Sequence, residues 1–297
     1  MDHHYRSATA FKQFDSPAIE FGQAASPAIN WQDFLLQRLP HQENGIQDYE
    51  LPNWPGRVWL KRARPKRSAL LYAMLNKTAG LLRLPWLKAS SSALGGTFSS
   101  AVELRRLQEL AQAGIRVPHV LAHTVGAILM QDAVVGVGRS ESLQHRIESH
   151  FANGQPEAAL GYWQQGLYAL SEVHHKGQYL SQAFSRNIVI SSEGEIGFVD
   201  FEDDPLEVMD LPDCKVRDLF CYLHSTAWPI AQAGVVPQAQ AILSQWIVQY
   251  GEAERQAFRQ ATQRVRYLRL LPTKRRYGKD VVRIRFSYAL LSNAIGR

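Results

Sequence analysis

The stretch from Gly177 to Asp204, GQYLSQAFSRNIVISSEGEIGFVDFEDD, constrains the fold more than any other part of the chain. Two apolar runs, Asn187 to Ser191 and Ile196 to Phe201, flank the turn-forming residues Ser192-Glu193-Gly194 and predict a short hairpin. Such a hairpin brings Asn187 and Asp200 to one edge, where a carboxamide oxygen and a carboxylate can share a hard cation. The expectation is a magnesium-phosphate site.

The chain has 297 residues, 45% of them hydrophobic, enough to bury a substantial core in one large domain or two lobes. No run approaches ~18 uninterrupted apolar residues, so no transmembrane segment is expected. Met1-Asp2-His3-His4-Tyr5 lacks the basic-then-apolar order of a secretory signal, which predicts a cytoplasmic location. Cys214 and Cys221 lie seven apart on one helix face, a spacing that suits buried small apolar residues better than a disulfide or a metal pair. The net charge of +6 is uneven: from Arg255 to Arg297 there are twelve Lys or Arg and one acid, Asp280. A surface of that kind favours anionic partners.

Residues 1–40 read as a loosely held arm with two Ser-Pro pairs, followed by a short helix capped by Asn30 and ending at Pro40. From Gly45 to Arg62 the texture is that of strands, with Val58 and Leu60 on one face and Trp59 and Lys61 on the other. Lys61 is then either a solvated edge residue or a cation aimed at phosphate oxygens. Glu103 has two readings as well. It completes a capping box with Ser100, or it crosses to hold Lys61, and the sequence leaves both open.

Between them lies an insert, residues 62–98. Arg62, Arg64, Lys66 and Arg67 precede the apolar Leu70 to Leu75, and Leu81 to Lys88 with Trp86 follows. This suits an interfacial segment resting on anionic lipid or lipopolysaccharide, or a helical hairpin packed on a neighbouring lobe. Ser90-Ser91-Ser92 and Gly95-Gly96 predict a flexible tail to it.

Strands around Gly126 complete a sheet, and Asp132 to Arg139 reads as a hinge. The N-terminal, sheet-rich lobe is thereby 41–131 and the helical part 132–297. Gly136-x-Gly138 has no helix-opening third glycine and reads as linker. Helices are predicted over Glu141 to His150 and Pro156 to His175, the second with a buried stripe at Leu160, Trp163, Leu167, Leu170 and Val173. His174 and His175, in its last turn, complement the helix dipole or ligate a metal. In the tail, Ile242, Trp246 and Val248 share a helix, and the run Lys274 to Phe286 interleaves basic and aromatic residues. Phosphorylated glycolipid head groups or an anionic membrane suit it. No recognised module frames it for nucleic acid.

In this order Lys61, Glu103, a helix ending near a His and Gly177, Asn187-Ile188-Val189-Ile190 and Asp200-Phe201-Glu202 resemble the protein-kinase-like superfamily. The likeness is greatest to the bacterial lipopolysaccharide and Kdo kinases and covers roughly residues 45–230. It implies an α+β, two-lobed fold and an ATP- and magnesium-dependent phosphotransferase acting on a hydroxyl. By the same resemblance Lys61 orients the nucleotide and Glu103 holds Lys61, Asn187 and Asp200 bind the metal, and Asp218 braces the catalytic loop.

The departures carry weight too. Five residues before Asn187, where the superfamily has its catalytic Asp, stands Gln182, which cannot accept a proton and is left to position the acceptor or a water. The hairpin before Lys61 offers only Gly45 and Gly56 and no glycine-rich phosphate loop. Glu202, Asp203 and Asp204 add carboxylates beside Asp200 that could ligate a second magnesium or take a proton, or form a solvated acidic loop. The implied function is therefore a phosphotransferase or a nucleotide-binding pseudokinase with a regulatory or scaffolding role.

Overall fold

A computed structural model describes residues 29–52, 54–65, 69–81, 83–135 and 140–295. The architecture is α+β, with a sheet-rich N-terminal region and a mostly helical remainder. Gly136-x-Gly138, the proposed hinge glycines, and the N-terminal arm before residue 29 lie outside the described residues.

Helix α1 (Trp31–Arg38) starts where expected because the Asn30 side chain accepts from the backbone N–H groups of Gln32 and Asp33. Strands β1 (Ile46–Glu50) and β2 (Arg57–Arg62) pair antiparallel. After helix α2 (Ala69–Leu81) and helix α3 (Thr97–Gln112), strands β3 (Val120–Thr124) and β4 (Ala127–Gln131) complete a sheet of order β1-β2-β4-β3. The period-two reading of β2 holds. Val58 and Leu60 are fully buried in a small cluster with Leu35 of α1, Ala127 and Leu129, while Trp59 packs toward the main core. Gly126 turns β3 into β4 at φ +82°, the left-handed region that glycine enters without penalty.

The helical region opens with strand β5 (Glu141–Ser142) and helix α4 (Leu143–Ala152), so the predicted helix begins two residues late. The cause is Ser142, whose hydroxyl accepts from His145 N–H and caps it. Helix α5 (Pro156–His175) spans its predicted range and buries Trp163, Leu167 and Leu170. Strands β6 (Ile188–Ile190) and β7 (Ile196–Phe198) form the hairpin, in the order β5-β6-β7. Both are shorter than the sequence suggests, since Ser185 to Asn187 forms a 3-10 turn and the chain leaves the ladder after Phe198.

Helix α6 (Leu211–Gln232) runs through the core and is followed by α7 (Val236–Val248), α8 (Glu252–Arg264) and α9 (Lys279–Ile295). Gly166 fixes how closely α5 meets α6. A Cβ there would sit 2.2 Å from the Tyr222 hydroxyl, which donates to Trp163 O at 2.7 Å. Trp246 lies in the core, whereas Val248, in the same predicted helix, is exposed at the end of α7.

The insert folds back on the protein. Asn76 of α2 brackets Ala89 by accepting its N–H at 2.7 Å and donating to its carbonyl at 2.8 Å. Trp86 is buried edge-on against Phe220 of α6, which favours the packed hairpin over an interfacial Trp. Lys66, Arg67 and the side chains of Leu70, Leu71, Tyr72 and Leu75 lie outside the described residues. Among the described residues no helix is long and apolar enough to cross a membrane.

Candidate functional site

Helix α3 and the loop after β7 converge on Lys61 near the end of β2. Its Nζ donates to Glu103 Oε1 of α3 at 2.7 Å and to Asp200 Oδ1 after β7 at 2.9 Å. It also lies 3.0 Å from Glu202 Oε1. Lys61 is 8% exposed and therefore no solvated edge residue; the face of β2 that carries it is covered by α3 and by the Asp200 loop.

Glu103 does not form the expected capping box. Helix α3 starts at Thr97, so Ser100 is already inside it, the N-cap is Gly96, and the Glu103 carboxylate is spent on Lys61. The electrostatics follow from burial and charge. Burial disfavours the Lys61 ammonium, but Glu103, Asp200 and Glu202 outweigh it and Lys61 holds its proton more tightly than usual. Burial raises Glu103 as well, with Lys61 opposing. Asp200 is disfavoured as an anion by burial, yet Lys61, Arg64 and Arg186 carry its carboxyl below the ordinary range.

Asn187 and the residue before Asp200 meet just beyond the hairpin ladder, where Val199 N–H donates to Asn187 O at 2.9 Å. Asn187 Nδ2 donates to the Gln182 carbonyl at 3.1 Å, which fixes the carboxamide. Among the described residues Asn187 Oδ1 and Asp200 Oδ2 accept no hydrogen bond, so two oxygens suited to a hard cation are unspent. No cluster of three or more His, Cys, Asp or Glu able to hold a metal occurs among the described residues. Any divalent ion here would thus lean on ligand oxygens such as phosphates. Asp200 sits at φ +72° and Ser181, next to Gln182, at φ +75°. Such backbone costs about 1–3 kcal/mol per residue and concentrates at functional loops.

Asp218 supports the loop from below. Fully buried in α6, it accepts Leu180 N–H at 2.7 Å, two residues before Gln182. Its other partner is His174 Nε2 at 3.3 Å, while His174 Nδ1 meets the Tyr250 hydroxyl at 2.7 Å. His174 is thus a buried link between α5, α6 and the end of α7 rather than a dipole complement. Burial lowers its pKa despite Asp218, so the imidazole is neutral.

The acidic run divides. Asp203 and Asp204 are buried and committed to neighbours, which rules out both a solvated loop and free ligands. Asp203 pairs with Arg217 of α6 and accepts from Ser90; Asp204 pairs with Arg105 of α3 and accepts from Tyr179 at 2.5 Å. Ser92 accepts the Asp204 N–H at 3.0 Å. Of the serines expected to be a flexible tail, Ser90 and Ser92 are instead buried anchors of the acidic loop, while exposed Ser91 bonds Glu207. Glu202 alone stays beside Lys61, between it and Arg64. Arg217 and Ser90 escaped the sequence reading, although Arg217 adjoins Asp218 and a serine run beside an insert is compatible with caps on carboxylates.

Beside these groups lies a cavity of about 620 Å³ whose wall includes Gln182, Asp200, Glu202 and Asp203. The chain matches no family model, and no curated protein resembles it.

Proposed function

We propose that the chain is an ATP- and magnesium-dependent phosphotransferase with a two-lobed, protein-kinase-like fold. Its acceptor would be a hydroxyl on an anionic cell-envelope molecule at the inner face of the membrane. The observation that carries this reading is the buried Lys61, shared between Glu103 and Asp200 across the two regions of the fold. That arrangement suits an ammonium placed over nucleotide phosphates and a carboxylate placed at the metal.

In this scheme Lys61 orients the nucleotide and Glu103 holds Lys61. Asn187 and Asp200 would hold magnesium, which when bound neutralises charge on the phosphate oxygens. Gln182 positions the acceptor hydroxyl. Its oxygen bonds to the γ-phosphorus as the bond to the β,γ-bridging oxygen breaks, and ADP leaves. Glu202 takes the hydroxyl proton once the phosphates replace it at Lys61. The loose transition state makes positioning and charge neutralisation the larger share of the catalysis.

A second reading is a pseudokinase that binds nucleotide without transfer. Gln182 at the base position and the contact of Glu202 with Lys61 at 3.0 Å favour it. ADP release in the presence of cell-envelope extracts separates the two. Release by the wild type that is lost in Lys61→Ala supports the phosphotransferase, and release unchanged in Lys61→Ala refutes the assigned mechanism. Nucleotide binding without release under any acceptor assigns the pseudokinase.

A further inference from the structure

The cavity beside Asp200 is lined mainly by apolar groups. Phe220, Cys221 and His224 face it from α6, and Ile284, Tyr288 and Leu291 from α9. The α6 set spans five residues of helix and the α9 set eight, so the apolar trough is ~6 Å long on one wall and ~10 Å on the other at 1.5 Å per residue. Trp86 from the insert and Phe184 from the loop from Gln182 to Arg186 close its sides. The wall includes Gln182, Asp200 and Glu202 but not Lys61, Glu103 or Asn187, which places the trough on the far side of the acidic groups from the nucleotide lysine.

The wall also carries charge, from Asp200, Glu202 and Asp203 and from Arg64, Lys88, Arg186 and Arg217. Of the cations there, Arg217 is neutralised by Asp203 and Arg64 lies 3.5 Å from Glu202. Lys88 and Arg186 make no ion pair among the described residues, and Arg186 stacks over the Phe184 ring at 4.3 Å. The rest of the trough offers no reactive group. Burial pushes the Cys221 thiol up to about 12 and, with Arg283, lowers His224, so neither is a nucleophile or a cation near neutrality. A volume of about 620 Å³ with mainly apolar walls and a few charged side chains is a binding chamber rather than a second catalytic centre.

We infer that this cavity binds the single apolar chain of an anionic amphiphile, with the head group held by Lys88 and Arg186 and its hydroxyl beside Gln182 and Asp200. The cavity as an amphiphile site stands on its walls alone; the hydroxyl as phosphoryl acceptor rests on the phosphotransferase reading. A free sugar phosphate would leave the apolar walls unfilled, and a purely apolar ligand would leave the cationic side chains of Lys88 and Arg186 unused.

The probe is 11-(dansylamino)undecanoic acid, a carboxylate-headed single chain, titrated into the full chain without nucleotide and followed by dansyl emission. Saturable, blue-shifted binding is expected, displaced by dodecyl phosphate but not by inorganic phosphate or glucose 1-phosphate. Ala93→Trp, which fills the chamber from the insert, is expected to weaken it at least tenfold, and Arg186→Glu likewise. Leu87→Asp, at a half-exposed wall position, is the second variant should Ala93→Trp not fold. Absence of saturable binding, displacement by glucose 1-phosphate, or unchanged affinity in a folded cavity variant would overturn the inference. The same protein tested with ATP and magnesium alone reports on the nucleotide cleft separately. Amphiphile binding without a nucleotide response therefore contradicts the phosphotransferase and not the cavity, and the converse result does the reverse.

Discussion

Lys61 Nζ lies 2.9 Å from Asp200 Oδ1 although 139 residues separate them in sequence. This contact, with Glu103 behind it at 2.7 Å, ties the sheet-rich region to the helical region through a Lys61–Glu103 pair almost wholly removed from water and a half-buried Asp200. Removing one member of such a group leaves the others buried without compensation, and that cost exceeds what the pair itself contributes.

Lys61→Met is accordingly expected to lower unfolding stability by about 3–5 kcal/mol in urea denaturation. Combining it with Glu103→Gln should recover part of the loss, because the second change removes the stranded carboxylate. Strict additivity of the two effects would show that the residues are not coupled.

The His174 link predicts a pH dependence. Burial lowers the folded-state pKa of His174 below its unfolded value of 6.5, so as pH falls through 6.5 the unfolded chain takes up a proton that the native state does not. Stability contributed here is present above pH 6.5 and lost below it. Thermal melts at pH 7.5 and pH 5 should show a smaller drop for His174→Gln than for the wild type. An equal drop in both would assign the acid sensitivity to other groups.

Gly166→Ala tests the close approach of α5 and α6. The added methyl would meet the Tyr222 hydroxyl and Leu143 Cδ2, at 2.2 and 2.6 Å, inside the core. Overpacking of this kind costs about 1–3 kcal/mol, and Tyr222→Phe in the same background should relieve part of it. Denaturant midpoints for the three proteins decide the point.

The acidic loop and the insert should open together. Asp203→Asn weakens the pair with Arg217 and the hydrogen bond from Ser90, which hold the insert tail over α6. Amide hydrogen exchange across residues 88–95 should accelerate at least tenfold while α5 stays protected. Unchanged exchange at 88–95 would mean that the tail is held by other contacts.

Much of this was legible in the residues themselves. Period-two alternation placed Lys61 and Trp59 on the opposite face from Val58 and Leu60, and the stripe from Leu160 to Val173 defined α5 to its ends. The hairpin and its juxtaposition of Asn187 and Asp200 followed from a Gly-containing turn between two short apolar runs. What stayed hidden depends on long-range pairing. Ser100 and Glu103 satisfy a capping pattern locally, and only the placement of β2 beside α3 shows where Glu103 points. Asp203, Asp204, Ser90 and Ser92 look solvated by composition. The pairing of the two acids with Arg217, 14 residues on from Asp203, and with Arg105, 99 residues back from Asp204, is set by where α6 and α3 pack. The cavity, assembled from the insert, the loop from Gln182 to Arg186, α6 and α9, has no local signature at all.

The central claim is that nucleotide and magnesium bind at Lys61 and Asp200, and a thermal-shift titration with ATP plus magnesium tests it most directly. Ligand at a hundredfold excess over Kd stabilises by about 2.7 kcal/mol, a shift of several degrees for a chain of this length. The account predicts that shift in the wild type and its loss in Asp200→Ala. No shift in the wild type, or an equal shift in a folded Asp200→Ala protein, would contradict it.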